Sequence, residues 1–190
     1  AQHQRVETIF HAIYGIHLRA GKAGEHQLRK FVSHPEYTPQ GDGDYDAEQD
    51  ILTITDTAFG MERDDFARAV KVDSPPENKN GRNEFGMGLK TAASWFGNIW
   101  SVQSTQLGST NQYFTEINIP KMREKNINTV AIHRTQGDPS SHGTSIVIRE
   151  VTKKIGSGRT KGKIIALLTS MYRRALDTGL IHINYDGEPL

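Results

Sequence analysis

The chain has 190 residues, room for one domain or one and a fraction. Its 23 Lys and Arg against 22 Asp and Glu leave a formal charge of +1, which argues against a general polyanion binder. It contains no Cys, and that excludes a disulfide framework, a zinc–thiolate centre and a thiol nucleophile together.

From the start, Ala1-Gln2-His3-Gln4-Arg5 lacks the apolar core of a signal peptide. Val6, Ile9, Phe10, Ile13 and Ile16 then recur at three- and four-residue steps and predict a helix. Residues 21–49 are polar, with Pro35, Pro39, Gly41, Gly43 and an acidic run from Asp42 to Asp50; they read mostly as loop, with a short helix near His26 to Val32. Ile51 to Thr55 is a β-branched strand that stops at Asp56 and turns through Ala58 and Gly60. Asp64 to Val72 reads as a helix with Phe66, Ala69 and Val70 on one side. Asp73 to Arg82 is a loop, and Met87 to Phe96 a helix that Gly97 ends.

Four strands are expected next, over Ile99–Thr105, Tyr113–Ile119, Thr129–Arg134 and Thr144–Val151, with turns that suit antiparallel neighbours. Trp95 and Trp100 read as core. Lys153 to Lys163 is a basic, glycine-containing loop. Lys163 to Thr178 has helical spacing, with Met171, Tyr172, Ala175 and Leu176 on its buried side. Leu180 to Tyr185 is a last strand before a turn at Asp186-Gly187. The expected class is α+β, a single domain over 1–190 with helices on one face of a largely antiparallel sheet. Apolar runs such as Ile164 to Leu168 are far below the roughly 20 residues of a membrane span. A cytoplasmic fragment of a longer protein, without a membrane partner, is the expectation.

Three short constellations carry chemistry. The first is a strand followed by Asp56-Thr57-Ala58-Phe59-Gly60-Met61. A carboxylate at a strand end can sit as an acceptor on a pocket floor, and Gly60 permits a close backbone approach. Alone, this pattern is more often a plain turn. The second is Gly81-Arg82-Asn83-Glu84-Phe85-Gly86-Met87-Gly88-Leu89-Lys90, glycines running into a helix. Bare amides at a helix N-terminus suit phosphate, although the Walker spacing is broken because Met87, not Lys, follows Gly86. A flexible linker reads equally well. The third is His142-Gly143-Thr144-Ser145-Ile146 opening a strand, where the Thr144 hydroxyl can make one hydrogen bond, directly or through water; alone it reads as a surface turn.

In this order the three resemble the GHKL ATPase superfamily, which holds DNA gyrase B, the ninety-kilodalton heat-shock chaperone, sensor histidine kinases, MutL and the MORC proteins. The similarity is clearest over Ile51 to Thr105, resumes at His142 to Val151, and is nearest to the chaperone-, MORC- and MutL-like branches. The resemblance implies a two-layer α/β sandwich of the Bergerat type, with ATP or ADP between sheet and helices under a lid. It implies that Asp56 binds adenine and that Ala58, Gly60 and Met61 lie beside the ring. Gly86 and Gly88 would cradle phosphates, with Met87, Leu89 and Lys90 beside them. Thr144 would support a water network, and Asp73 to Phe85 would form the lid. Slow magnesium-dependent ATP hydrolysis, coupled to lid closure or to a homodimer, is the implied activity.

The family's Glu-x-x-x-Asn motif matches best at Glu7 and His11. Glu7 falls on the position of the general base, while His11 stands where a magnesium-holding Asn is expected. At i and i+4 the two share a helix face, which equally describes an ordinary helix pair. Imidazole suits magnesium poorly, since magnesium prefers oxygen. Ala58 replaces the first Gly of the usual Asp-x-Gly-x-Gly. These departures keep open a module that binds nucleotide without turnover. The five charges of the basic loop keep open a protein- or nucleic-acid-interaction scaffold.

Overall fold

The computed structural model describes residues 38–71, 88–152, 155 and 158–190. The helices expected near Val6 to Ile16 and His26 to Val32, and the loop from Asp73 to Arg82, lie outside these residues. In chain order the elements are β1 (Gln40–Asp46), β2 (Ile51–Asp56), α1 (Arg63–Val70), α2 (Gly88–Phe96), β3 (Gly97–Thr105) and β4 (Asn111–Asn118). There follow α3 (Ile119–Glu124), β5 (His133–Gln136), β6 (Gly143–Val151), α4 (Arg159–Asp177), β7 (His182–Tyr185) and β8 (Glu188–Pro189).

The strands form one sheet in the order β5-β4-β3-β6-β2-β1-β7-β8. The β1–β7 pair is parallel and the other neighbours are antiparallel. The fold is therefore α+β, as the sequence pattern predicts. Alternation sets the faces. Leu52, Ile54, Trp100, Val102, Ile146, Ile148 and Ile183 point to one side and are buried there. Phe66 and Val70 of α1, Ala92, Ala93 and Phe96 of α2, and Ile164, Leu168 and Tyr172 of α4 join them in a single core. The four-residue steps in α4 place its three buried residues on one stripe. The opposite sheet face carries Thr53, Thr55, Ser145, Gln103 and Glu116, all more exposed. Arg149 of β6 pairs with Glu116 of β4 across β3 on that face.

Several boundaries differ from the sequence expectation. Residues 40–46 form a strand rather than loop, because the buried alternate positions are Gly41 and Gly43 and no apolar pattern marks them. The strand expected to end at Ile119 stops at Asn118, whose side chain accepts the Lys121 N–H at 2.9 Å and caps α3, with Pro120 in the first turn. The strand expected over Thr129–Arg134 lies instead at His133–Gln136. The basic loop is shorter than expected. Gly158, at φ 70°, starts α4, so Arg159, Lys161 and Lys163 belong to a helix. α1, expected over Asp64 to Val72, ends at Val70. Trp100 is buried and its indole N–H donates to Ser94 Oγ at 3.1 Å. Among the described residues no helix is long and apolar enough to cross a membrane.

Candidate functional site

Asp56 is the last residue of β2 and faces the helices. The register sets Thr144 of β6 opposite it, and Ser104 of β3 opposite Thr144. Asp56, Thr144 and Ser104 thus form one polar row across three adjacent strands, at the end of the apolar rows that make the core. Gly41 of β1 continues the row beyond Asp56 and is buried.

The row is buried yet not fully paired. Asp56 is 5% exposed. Its Oδ1 accepts the Ala58 N–H at 2.9 Å, closing the turn after β2. Its Oδ2 is buried and, among the described residues, has no hydrogen-bond partner. Burial pushes the Asp56 carboxyl up to about 7, against the opposing pull of the Ala58 and Thr144 amides. A buried acceptor left open costs on the order of 1–3 kcal/mol, a cost that a donor from a water or a ligand would remove.

Ser104 has a full set of partners. Its Oγ accepts the Met61 N–H at 2.9 Å, donates to the Gly143 carbonyl at 2.9 Å, and lies 3.1 Å from Thr144 Oγ1. This residue carries no motif signal. It stands in an ordinary strand run, and only the pairing of β3 with β6 brings it to the site.

The turn from Thr57 to Met61 is tied to the same strands. The Leu107 N–H donates to the Phe59 carbonyl at 2.8 Å. His142 Nδ1 lies 2.7 Å from the Ala58 carbonyl, and because a carbonyl only accepts, that nitrogen carries the proton. Gly60 has φ 65°, and a Cβ there would lie 1.8 Å from the Thr105 carbonyl oxygen. What this glycine accommodates is the backbone of β3, rather than only the flat ring that the motif suggests. Ala58 is buried with a negative φ, so the alanine that replaces the customary glycine fits without backbone strain. Met61 is buried in the core.

The helix α2 opens at Gly88. Leu89, predicted as a nucleotide contact, is a core residue. Lys90, predicted beside the phosphates, is 5% exposed, and its ammonium donates to the carbonyls of Arg68, at 3.2 Å, and Lys71. There it closes the C-terminal end of α1, where a cation is favoured by the helix dipole. Glu7, His11, Gly86, Met87 and the 73–85 segment lie outside the described residues. Among the described residues no group of three or more His, Asp or Glu side chains is placed to hold a metal ion.

The sequence model of the histidine kinase-, DNA gyrase B-, and HSP90-like ATPase family matches residues 42–144, more than half of the chain. The chain belongs to that family. No curated protein matches the chain. The matched span runs from β1 to the start of β6, so it includes Asp56, the glycines before α2, and Thr144 as its last residue. Glu7 and His11 precede it. Membership in this ATPase family supports ATP binding, and the open carboxylate oxygen of Asp56 is chemically suited to the exocyclic amine of adenine.

Proposed function

We propose that residues 1–190 form one ATP-binding domain whose floor is the Asp56–Thr144 row. The adenine amine donates to Asp56 Oδ2, and Ala58, Gly60 and Met61 line the base side through their turn. The triphosphate runs toward the start of α2, where Gly86 and Gly88 offer amides to phosphate oxygens. The observation that carries this reading is the Oδ2 of Asp56, buried and unpartnered among the described residues, within a family of ATPases. Calorimetry with ATP tests it. Losing a hydrogen bond to a charged group costs about 1.5–3 kcal/mol. Asp56→Ala is therefore expected to weaken ATP binding roughly ten- to over a hundredfold while the fold stays intact. Unchanged affinity in a folded variant sinks the assignment.

The fuller reading is slow ATP hydrolysis, coupled to closure of the 73–85 segment or to dimerisation. Glu7 acts as the general base, taking a proton from a water beside the γ-phosphate. Magnesium, when bound, neutralises phosphate charge, and His11 occupies the position that would help to hold it. A second reading, binding without turnover, is favoured by His11 itself, since a neutral imidazole replaces the oxygen donor magnesium prefers. Phosphate release at saturating ATP separates the two. Hydrolysis predicts a loss of roughly a hundredfold in Glu7→Ala and a gain in His11→Asn. Binding without turnover predicts no release in the wild type.

A further inference from the structure

The geometry assigns Ser104 the role of a positioning residue that fixes the Thr144 hydroxyl as a hydrogen-bond acceptor toward the bound base. The inference rests on the ATP-site reading above and adds a specificity device to it.

A serine hydroxyl has one proton and two lone pairs. Ser104 Oγ, 1% exposed, has three neighbours within hydrogen-bond distance. The Met61 N–H, at 2.9 Å, donates and takes one lone pair. The Gly143 carbonyl, at 2.9 Å, only accepts and takes the proton. The remaining lone pair faces Thr144 Oγ1 at 3.1 Å, so in the assignment that satisfies all three, Thr144 donates to Ser104. The single proton of Thr144 is thereby turned away from Asp56 along the strand row. What Thr144 retains for a ligand or a bridging water is lone pairs.

With the Asp56 carboxyl ionised, the floor then offers acceptors only: the open Oδ2 of Asp56 and the lone pairs of Thr144. A water bridging the two uses both protons on them and presents its oxygen to the ligand. A base with a donor at its six-position meets complementary groups. A base with a carbonyl there meets acceptor against acceptor. The rotor state of one hydroxyl, set by a side chain at the next strand, is thus part of the selection of an amino- over an oxo-purine nucleotide.

The test is the ratio of ATP to inosine triphosphate affinity, measured by calorimetry above about pH 8, where the Asp56 carboxyl is ionised. Freed from Ser104, Thr144 can turn its proton to the oxo group. Ser104→Ala is expected to lower the ATP preference about fivefold, while Ser104→Thr, which keeps a hydroxyl, preserves it. In a Thr144→Val background, Ser104→Ala is expected to leave the ratio within about twofold. A structural role alone weakens both nucleotides alike and is indifferent to Thr144; either result overturns the assignment. Should Ser104→Ala fail to fold, Thr144→Val decides by sign. Removing an acceptor raises inosine triphosphate relative to ATP, and a fall or no change overturns the proposal. Wild-type protein that binds neither nucleotide overturns the ATP-site reading and this inference with it. ATP binding with an unmoved ratio overturns only the role of Ser104.

Discussion

Asp56 and Asp186 each stand at a strand end, and each is followed by a turn glycine, Gly60 and Gly187. Both turns flank β1, since β1 pairs with β2 on one side and β7 on the other. At Asp186 the acceptors are taken. Its Oδ1 accepts the Tyr45 N–H at 3.1 Å, its Oδ2 lies 3.7 Å from Lys161 Nζ, and its N–H donates to the Gly43 carbonyl at 2.8 Å. Lys161 also reaches Glu188 at 3.0 Å, so α4 and the closing hairpin are locked together. At Asp56 one oxygen closes the turn and the other is buried with no hydrogen-bond partner among the described residues. The same residue type at the same kind of place is structural in one turn and open for chemistry in the other. The difference lies in what the neighbouring strands supply.

The glycines sharpen the contrast with the largest effect. Gly60 and Gly187 both have positive φ, 65° and 75°. A Cβ on Gly60 would meet the Thr105 carbonyl oxygen at 1.8 Å and its carbon at 2.5 Å, backbone atoms of a strand paired on both sides. A Cβ on Gly187 would meet no atom of the described residues within 4 Å. Gly60→Ala is expected to cost on the order of 3–5 kcal/mol, from overpacking and backbone strain together. Gly187→Ala carries the backbone strain alone, about 1 kcal/mol. Urea denaturation of the two variants measures this. Equal losses would show that the turn at Gly60 has room to yield and would break the comparison.

The next effect comes from the open carboxyl. Burial holds the Asp56 carboxyl at about 7 in the folded chain. In the unfolded chain it ionises near 4, as an ordinary aspartate does. Between those values the native state binds the extra proton, so stability falls as pH rises from about 4 to about 7 and is level above. The amplitude is on the order of a few kcal/mol. Asp56→Asn does not ionise and lacks this fall. Its stability relative to wild type is expected to improve from pH 4 to pH 8 in paired urea titrations. Parallel profiles would mean that the carboxyl is not desolvated. The same sign applies to ligand. The amine needs the ionised oxygen, so ATP uptake near pH 6.5 is expected to release protons, read by calorimetry in buffers of different ionisation enthalpy.

How much of this was legible in the sequence follows from what each feature requires. β2, α2, β3 and β6 were legible to within two residues because their apolar residues alternate or repeat at helical steps. β1 was not, because glycine fills its buried positions and leaves only a row of aspartates to read. α3 had a readable signal in Asn118 before Ile119-Pro120, a cap followed by an early proline. Asp56 and Thr144 stood out through the family resemblance, and the register explains why the two segments belong together despite their separation in sequence. Ser104 was invisible, since its importance comes from facing Thr144 across a strand pair rather than from its neighbours in the chain. Lys90, which the resemblance sets beside the phosphates, has its ammonium held by carbonyls at the end of α1, a contact that its neighbours in the chain do not mark.

The smallest effect belongs to Asp186 and tests the other side of the comparison. Asp186 has φ 47°, a conformation that Asn and Asp tolerate better than Ala. Asp186→Ala removes the acceptor for the Tyr45 N–H and adds backbone strain, so a cost of about 1–2 kcal/mol is expected. Asp186→Asn keeps an oxygen for Tyr45 and tolerates the same φ, and it loses only the charge beside Lys161. Lys161 keeps Glu188, its closer partner, and that ion pair is solvent-accessible, so its contribution is screened. The Asn variant is therefore expected to melt close to wild type and the Ala variant measurably lower. Neither is expected to change ATP affinity, because both carboxylate oxygens of Asp186 already face partners within the fold. A weakened ATP complex in the Asn variant would mean that the locked turn reaches the site through β1, and the division between the two aspartates would no longer hold.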